Sequence, residues 1–200
     1  MRLQTFGGAD TAHVLPALAR LRIEVFRAWP YLYDGAPADE QAYLRHLAAS
    51  PSAGLVVAFD GEEPVGCATC QKLAEASESI SRPFRDRGLD PARFFYFGES
   101  VLRPRYRGQG IGVAFFEARE AHARAVSDCD FAAFCAVVRP AEHPLRPAGD
   151  AGLTEFWRHR GFTPYPDLAC TMEWKQMDAP GEVENRLSFW IKPLRNAPLP

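Results

Sequence analysis

The stretch with the most chemical content is Arg107-Gly108-Gln109-Gly110-Ile111-Gly112, which joins an apolar run, Phe94 to Leu102, to a helical one, Val113 to Val126. Where a strand turns into a helix, the first backbone N–H groups of the helix lack intrahelical partners and the helix dipole favours an anion. Glycines let a phosphate approach that backbone closely. Two common phosphate motifs do not fit. The P-loop needs Lys-Ser/Thr after its last glycine, and the dinucleotide fingerprint needs a glycine where Val113 stands. ATP and NAD are therefore poor matches. Without a ligand to hold, three glycines around a helix start would only lower helix propensity.

The second chemical signal is Glu99, a carboxylate in the otherwise apolar run Phe94 to Leu102, just before that turn. Acidic residues are depleted in strands, and desolvation there moves a carboxylate toward the proton affinity of a general base. A structural role, satisfied by arginine or backbone partners, is the competing reading. Gly98 beside it signals a bulge or a close backbone approach. The aromatic, turn-rich segment Trp29 to Gly35 supplies candidate pocket residues in Tyr31, Tyr33 and Asp34, of which the acid would attract an amine. Arg82, Phe84 and Trp190 are further wall candidates, although Trp190 alternates like a packed strand residue.

Other reactive types carry less. The five cysteines, at 67, 70, 129, 135 and 170, are an odd set, which fits reduced thiols better than a disulfide framework. Cys67 and Cys70 sit three apart in a strand-like run and so face opposite sides, which argues against a metal or redox pair. His13, His46, His122 and His159 show no metal-ligand spacing, and His143 lies in a loop, so no metal is expected.

These groups need a frame. The pattern predicts a strand at Arg2 to Phe6, helices at Ala12 to Arg27 and Ala38 to Ala49, and a hairpin of Gly54 to Phe59 and Val65 to Leu73 around Asp60-Gly61. Ala74 to Gly88 reads as a helix interrupted near Pro83. Phe94 to Leu102, Val113 to Val126 and Phe131 to Val138 form a strand, helix, strand unit with parallel strands. Along the middle helix Ala114, Phe115, Ala118, Ala121 and Ala125 make the apolar side. A Pro- and Gly-rich loop spans Ala141 to Gly152, a short helix Leu153 to Arg160, and two strands close the chain at Leu168 to Lys175 and Leu187 to Lys192.

The 200 residues suit one domain, 1–200, and the net charge of −2 lacks the basic excess of a nucleic-acid binder. No apolar leader or membrane-length run is present, so a cytoplasmic protein acting on a small-molecule or peptide partner is expected.

Leu102-Arg103-Pro104 followed by Arg107-x-x-Gly110-x-Gly112 resembles the cofactor signature of the GNAT acetyltransferase superfamily, and Phe156-Trp157-Arg158-His159-Arg160-Gly161-Phe162 is similar to its later helix and Gly-Phe ending. The resemblance implies an α/β fold whose central mixed, twisted sheet splays between two parallel strands and is flanked by helices. It implies acetyl-CoA as cosubstrate. Arg107, Gly108, Gln109, Gly110, Ile111 and Gly112 would hold the pyrophosphate, Val101, Leu102 and Arg103 would pair with pantetheine, and Phe156 and Trp157 would lie near the thioether. The acceptor would be a primary amine attacking the thioester directly, with Glu99 as base through water. A homodimer is compatible with it. Trp157 stands where many relatives carry a tyrosine that reprotonates the leaving thiolate, which leaves the acid open, with Tyr165 and His143 as weak stand-ins. The alternatives are an acyl-CoA-binding regulatory protein without turnover and a protein-directed transferase.

Overall fold

The computed structural model of the chain describes residues 1–7, 10 and 14–200. Its seven strands lie in one mixed sheet, ordered β1-β2-β3-β4-β5-β7-β6. The strands are β1 (Arg2–Phe6), β2 (Gly54–Asp60), β3 (Glu63–Lys72), β4 (Phe94–Leu102), β5 (Phe131–Val137), β6 (Thr163–Lys175) and β7 (Glu182–Pro193). The helices are α1 (Leu15–Phe26), α2 (Pro37–Ala48), α3 (Glu78–Asp86), α4 (Ile111–Val126) and α5 (Thr154–His159). Of the predicted first helix, Ala12 lies outside the described residues, as does His13.

β4 and β5 form the parallel pair. Their pairing covers Phe94↔Phe131, Phe95↔Ala132 and Tyr96↔Ala133, beyond which β4 continues to Leu102 and β5 to Val137 without pairing to each other. The sheet therefore opens into a V at Tyr96. On its other side β4 pairs with β3 nearly to its end, from Lys72↔Phe95 to Gly66↔Leu102. Between Ala68↔Ser100 and Cys70↔Phe97, one β3 residue, Thr69, faces two β4 residues, Gly98 and Glu99. That is a β-bulge where the glycine announced one, and a side chain added at Gly98 would meet Thr69 Oγ1 at 2.4 Å.

Alternation along each strand sends apolar side chains to both faces. On one face α1 and α2 bury Leu18, Leu21 and Leu44 against Leu55, Val57, Cys67 and Val101, and Ile80 and Phe84 of α3 join Phe94, Phe131 and Phe189. On the other, α4 and α5 cover Phe95, Phe97, Phe134 and Trp190 with Phe116, Phe156, Trp157 and Phe162. Cys67 and Cys70 fall in different clusters, as their spacing requires. Fully burying each such phenylalanine contributes about 2 kcal/mol, so the aromatic wall gives the V a stiff base.

Two helix readings need correction. Pro83 lies inside α3 without breaking it. Only one backbone hydrogen bond is forfeited by its missing N–H, and Phe84 anchors the helix between Phe94 and Phe189, with ring centroids 4.8 Å away in each case. Along α4 the buried row is Ile111, Phe115, Arg119 and Ala123 with Phe116, while Ala121 and Ala125 are exposed. Alanine is tolerated on either face, whereas the i, i+4 row of bulky groups marks the side that docks. β6 and β7 also begin earlier and run longer than predicted, pairing with each other through most of their length.

Candidate functional site

The glycine turn is built as its spacing suggested. A 3-10 turn at Pro104–Tyr106 follows β4, and Tyr106 anchors it by donating to Asp60 Oδ2 at 2.7 Å. Gly108 and Gly110 have φ of 74° and 81°, left-handed values that other residues adopt at a cost, and open space lies where their Cβ atoms would be. Gly110 caps α4 without a side-chain hydrogen bond, and the first helical bond runs from Ala114 N to Gly110 O. The N–H groups of Ile111, Gly112 and Val113 thus precede the first helical bond and point out of the open end of the helix. Gly112 faces Phe156 of α5, whose Cζ would touch a Cβ there at 3.5 Å.

The other cofactor candidates divide by backbone and side chain. Val101 is buried against α1, and Arg103 is bound to Glu24, at 3.0 Å, and to Glu63. Neither side chain faces the V. The Arg103 N–H is itself turned to β3, where it donates to Val65 O, and what β4 offers the V is its β5-facing edge beyond Tyr96, which has no strand partner there among the described residues. Arg107 turns back onto Leu102 O, and Gln109 onto Arg105 O. Trp157 packs edge-on against Phe134 and Trp190, each 5.1 Å away, inside the aromatic wall.

Glu99 points from the bulge into the face covered by α1 and α2. Its side chain is 8% exposed, ion-pairs with Arg22 of α1 and accepts a hydrogen bond from Tyr43 of α2 at 2.9 Å. Arg22 also binds Glu40 of α2 and lies 4.4 Å over the Tyr43 ring. Burial works against the Arg22 charge, but Glu99, Tyr43 and Glu40 more than offset it, so the guanidinium holds its proton more tightly than usual. The Tyr43 ring shows an exposed edge while its hydroxyl is turned inward, where burial and then Glu99 push its acidity well down. It remains a hydrogen-bond donor.

At the apex of the V, Tyr96 and Cys135 meet with the hydroxyl 3.3 Å from Sγ. Burial, followed by the influence of Cys135, keeps the Tyr96 phenol protonated. The Tyr31 phenol is likewise held protonated, first by burial and then by Cys135 and Glu99, and its ring packs between Phe26 and Trp174. Its segment is firmly held. Arg139 donates to Pro30 O and Tyr31 O, Trp174 to Tyr31 O, and the strained Leu32, with φ of 55°, is tied through Ala28 and Met177.

The remaining candidates lie elsewhere. Tyr33 packs beside the α1 core and bridges to Gln176, while Asp34 is engaged by Lys175 at 2.7 Å and Arg27 at 3.3 Å. Phe84 and Trp190 are core residues, and Arg82 is exposed beside Asp86. Tyr165 donates to Pro200 O, and His143 sits between Trp29 and Asp178. Among the described residues no group of three His, Cys, Asp or Glu could hold a metal ion, and no helix is long and apolar enough to cross a membrane. A surface hollow of about 640 Å³ at the β1 edge, lined by Arg2, Gln4, Phe59 and Glu62, includes neither Glu99 nor the glycine turn.

Sequence reasoning missed Arg22, Tyr43 and Glu40, and one signal was available: Arg22 sits in the i, i+4 row between Leu18 and Phe26, a charge within an apolar stripe. Arg119 shows the same pattern between Phe115 and Ala123. It is buried on the opposite face between Phe97 and Phe116, and burial lowers its proton affinity to about 10.

No curated protein matches the sequence. Solved structures share the fold at low identity. A ribosomal-protein-alanine N-acetyltransferase from Brucella melitensis has a TM-score of 0.61 at 15% identity, covering 96% of this chain and 99% of its own. An aminoglycoside 6'-N-acetyltransferase complexed with coenzyme A has 0.61 at 14%, covering both chains fully. A Salmonella typhimurium protein solved with its cofactor acetyl-CoA has 0.59 at 12%, covering 99% and 97%. The family model described as acetyltransferase (GNAT) matches residues 18–147, which include α2, the splayed strands and the glycine turn. A match over that much of the sequence, joined to a V-shaped sheet with a glycine-capped helix start at its mouth, means that this chain belongs to the GNAT acetyltransferase family.

Proposed function

We propose that this protein is an N-acetyltransferase that moves the acetyl group of acetyl-CoA to a primary amine by direct attack in a ternary complex. The observation that carries the reading is the parting of β4 and β5 after Tyr96↔Ala133, with unpaired β4 backbone on one side and the Gly108–Gly112 turn at the open end. Pantetheine would add to the free β4 edge at Val101 to Arg103, and the pyrophosphate would sit on the N–H groups of Gly108 to Gly112. Phe156 and Trp157 would flank the thioether arm.

The acceptor would enter from the α1 and α2 face, where Tyr43 donates to the largely buried Glu99 carboxylate, and Tyr31 would stand at its wall. An ammonium must lose a proton before it attacks, and Glu99 is the carboxylate placed to receive it. Asp34, bound to Lys175 and Arg27, would act at most on approach. Because the thiolate is a tolerable leaving group, Trp157 need not serve as acid. One domain spanning 1–200 is part of the proposal.

The test is calorimetric titration with acetyl-CoA, coenzyme A and ATP, followed by an amine panel. Micromolar binding of both CoA species but not ATP, and transfer to at least one amine, supports the reading; no CoA binding refutes it. A second reading, an acyl-CoA-binding regulatory protein, draws on Trp157, packed against Phe134 and Trp190 where many relatives carry a tyrosine, and would be favoured by binding without transfer to any amine.

A further inference from the structure

Buried polar groups in a folded protein almost always find a hydrogen-bond partner, and an exception points to a water or ligand. Two such exceptions lie on the α1/α2 side of the V. Among the described residues Thr69 Oγ1 and Gln71 Oε1 are buried without a hydrogen-bond partner, whereas Glu99 Oε1 and Arg22 Nη1, which also lack one, are ion-paired with each other. Thr69 and Gln71 are alternate residues of β3, so they share the face of Cys67, which packs against α1. Thr69 is fully buried and is the one β3 residue opposite the Gly98-Glu99 bulge. Its hydroxyl occupies the space that a Gly98 side chain would fill. Gln71 lies directly across from Tyr96. The bulge has thus set an unsatisfied hydroxyl over Gly98, on the face of β4 that carries Glu99 and next to the point where the strands separate.

We infer that Thr69 is a positioning residue that holds the water through which Glu99 deprotonates the acceptor, an inference that rests on the acetyltransferase reading above. A hydroxyl both donates and accepts, so it can fix a water that must accept a proton from nitrogen and pass one to a carboxylate. The ammonium gives a proton to the water, and the water gives one to Glu99. The nitrogen lone pair then forms the N–C bond to the thioester carbonyl carbon. The C–S bond breaks, its electron pair stays on the coenzyme A sulfur, and that thiolate takes a proton from solvent. Gly98 is glycine because any side chain there would displace the Thr69 hydroxyl.

Threonine and valine are nearly isosteric, which gives a sharp test. If the hydroxyl were only an unsatisfied buried group, Thr69→Val would raise the melting temperature and leave turnover unchanged. If it holds the water, Thr69→Val lowers kcat by about tenfold or more, because part of the ~10²–10⁴-fold general-base contribution is lost, without changing KM for acetyl-CoA. Thr69→Ser, which keeps the hydroxyl, then restores kcat to within about threefold of wild type. The kcat loss in Thr69→Val should be greatest on the acid side of the pH profile, where proton removal limits the rate. Wild-type kcat in Thr69→Val alongside an impaired Glu99→Gln, or an equal loss in Thr69→Ser, overturns the role of Thr69 alone. Undiminished turnover in Glu99→Gln would instead remove the base assignment, and a wild-type protein inert toward every amine would remove the reading beneath both.

Discussion

Gly110 offers the cleanest perturbation of the proposed cofactor site, because its two contributions can be separated. It caps α4 with φ of 81° and ψ of −8°, and nothing lies within 4 Å of the place its Cβ would occupy. An alanine there meets no clash and bears only the left-handed backbone penalty, about 1 kcal/mol, or roughly 2–4 °C in a chain of this size. An aspartate bears a similar backbone penalty but brings a carboxylate to the N–H groups that would hold the pyrophosphate. At about 5 Å and an effective dielectric near 20, one like charge costs roughly 3 kcal/mol, on the order of a hundredfold in Kd. Titration with acetyl-CoA should therefore show Gly110→Ala within about tenfold of wild type and Gly110→Asp weaker by a hundredfold or more. The gap should shrink as salt rises, because partly exposed charges are screened. Equal affinity of Gly110→Asp and wild type, with both folded by circular dichroism, would show that the anion does not bind at this turn.

Other expectations concern the charges around Glu99 and the packing of α2. Arg22→Met should destabilise the fold by about 3–5 kcal/mol in urea titration, since it leaves the Glu40 and Glu99 carboxylates buried without their shared cation; a loss below about 1 kcal/mol would contradict the buried network. Glu40→Gln should raise KM for the amine while leaving acetyl-CoA affinity unchanged, and an unaltered amine KM would place the acceptor elsewhere. Glu75, although partial burial opposes its charge, is held below its usual proton affinity by Ser50 and Ser52. The stability it provides is therefore present above the ordinary carboxylate range and fades as pH falls through the lower folded value. Acid titration of Glu75→Gln should show a flatter decline in that window than wild type, and parallel curves would exclude this linkage.

How much was legible follows from which interactions are local. The Gly108–Gly112 turn, the Gly98 bulge and the β4-α4-β5 unit were readable because glycine placement and hydrophobic period act over a few residues. The splay was not. It arises where β5 parts from β4 after Ala133 while its other edge stays paired with β7 from Phe131↔Pro193 to Val137↔Leu187, a pairing between segments fifty or more residues apart. The site shows the same division. Glu99 stood out as an acid in an apolar strand, but its partners come from α1 and α2, more than fifty residues earlier in the chain, and only the misfit of Arg22 within its helix stripe hinted at them. Asp34 was read as free to attract an amine because nothing near it in sequence announces Lys175, which reaches it from β6.

The arrangement around Glu99 carries a tension that bears on its proposed chemistry. A base must be negative enough to draw in an ammonium, yet a strongly negative pocket would stabilise that ammonium and resist its deprotonation. On the α1/α2 face, two carboxylates, Glu40 and Glu99, share one guanidinium, that of Arg22, and Tyr43 contributes a neutral donor. This group therefore has a formal charge of −1, enough to attract a cation without the full field of two free carboxylates. Arg119, from the far face of the sheet, is near enough for Glu99 to support its charge, so it moderates the same field across the strands. Arg22 also joins β4 to both α1 and α2, so helix movement that admits a larger acceptor would alter the electrostatic setting of the base. Acceptor capture and base strength would then be linked through one side chain, for which lysine is a poor replacement because its single ammonium cannot reproduce the planar fork that meets two carboxylates.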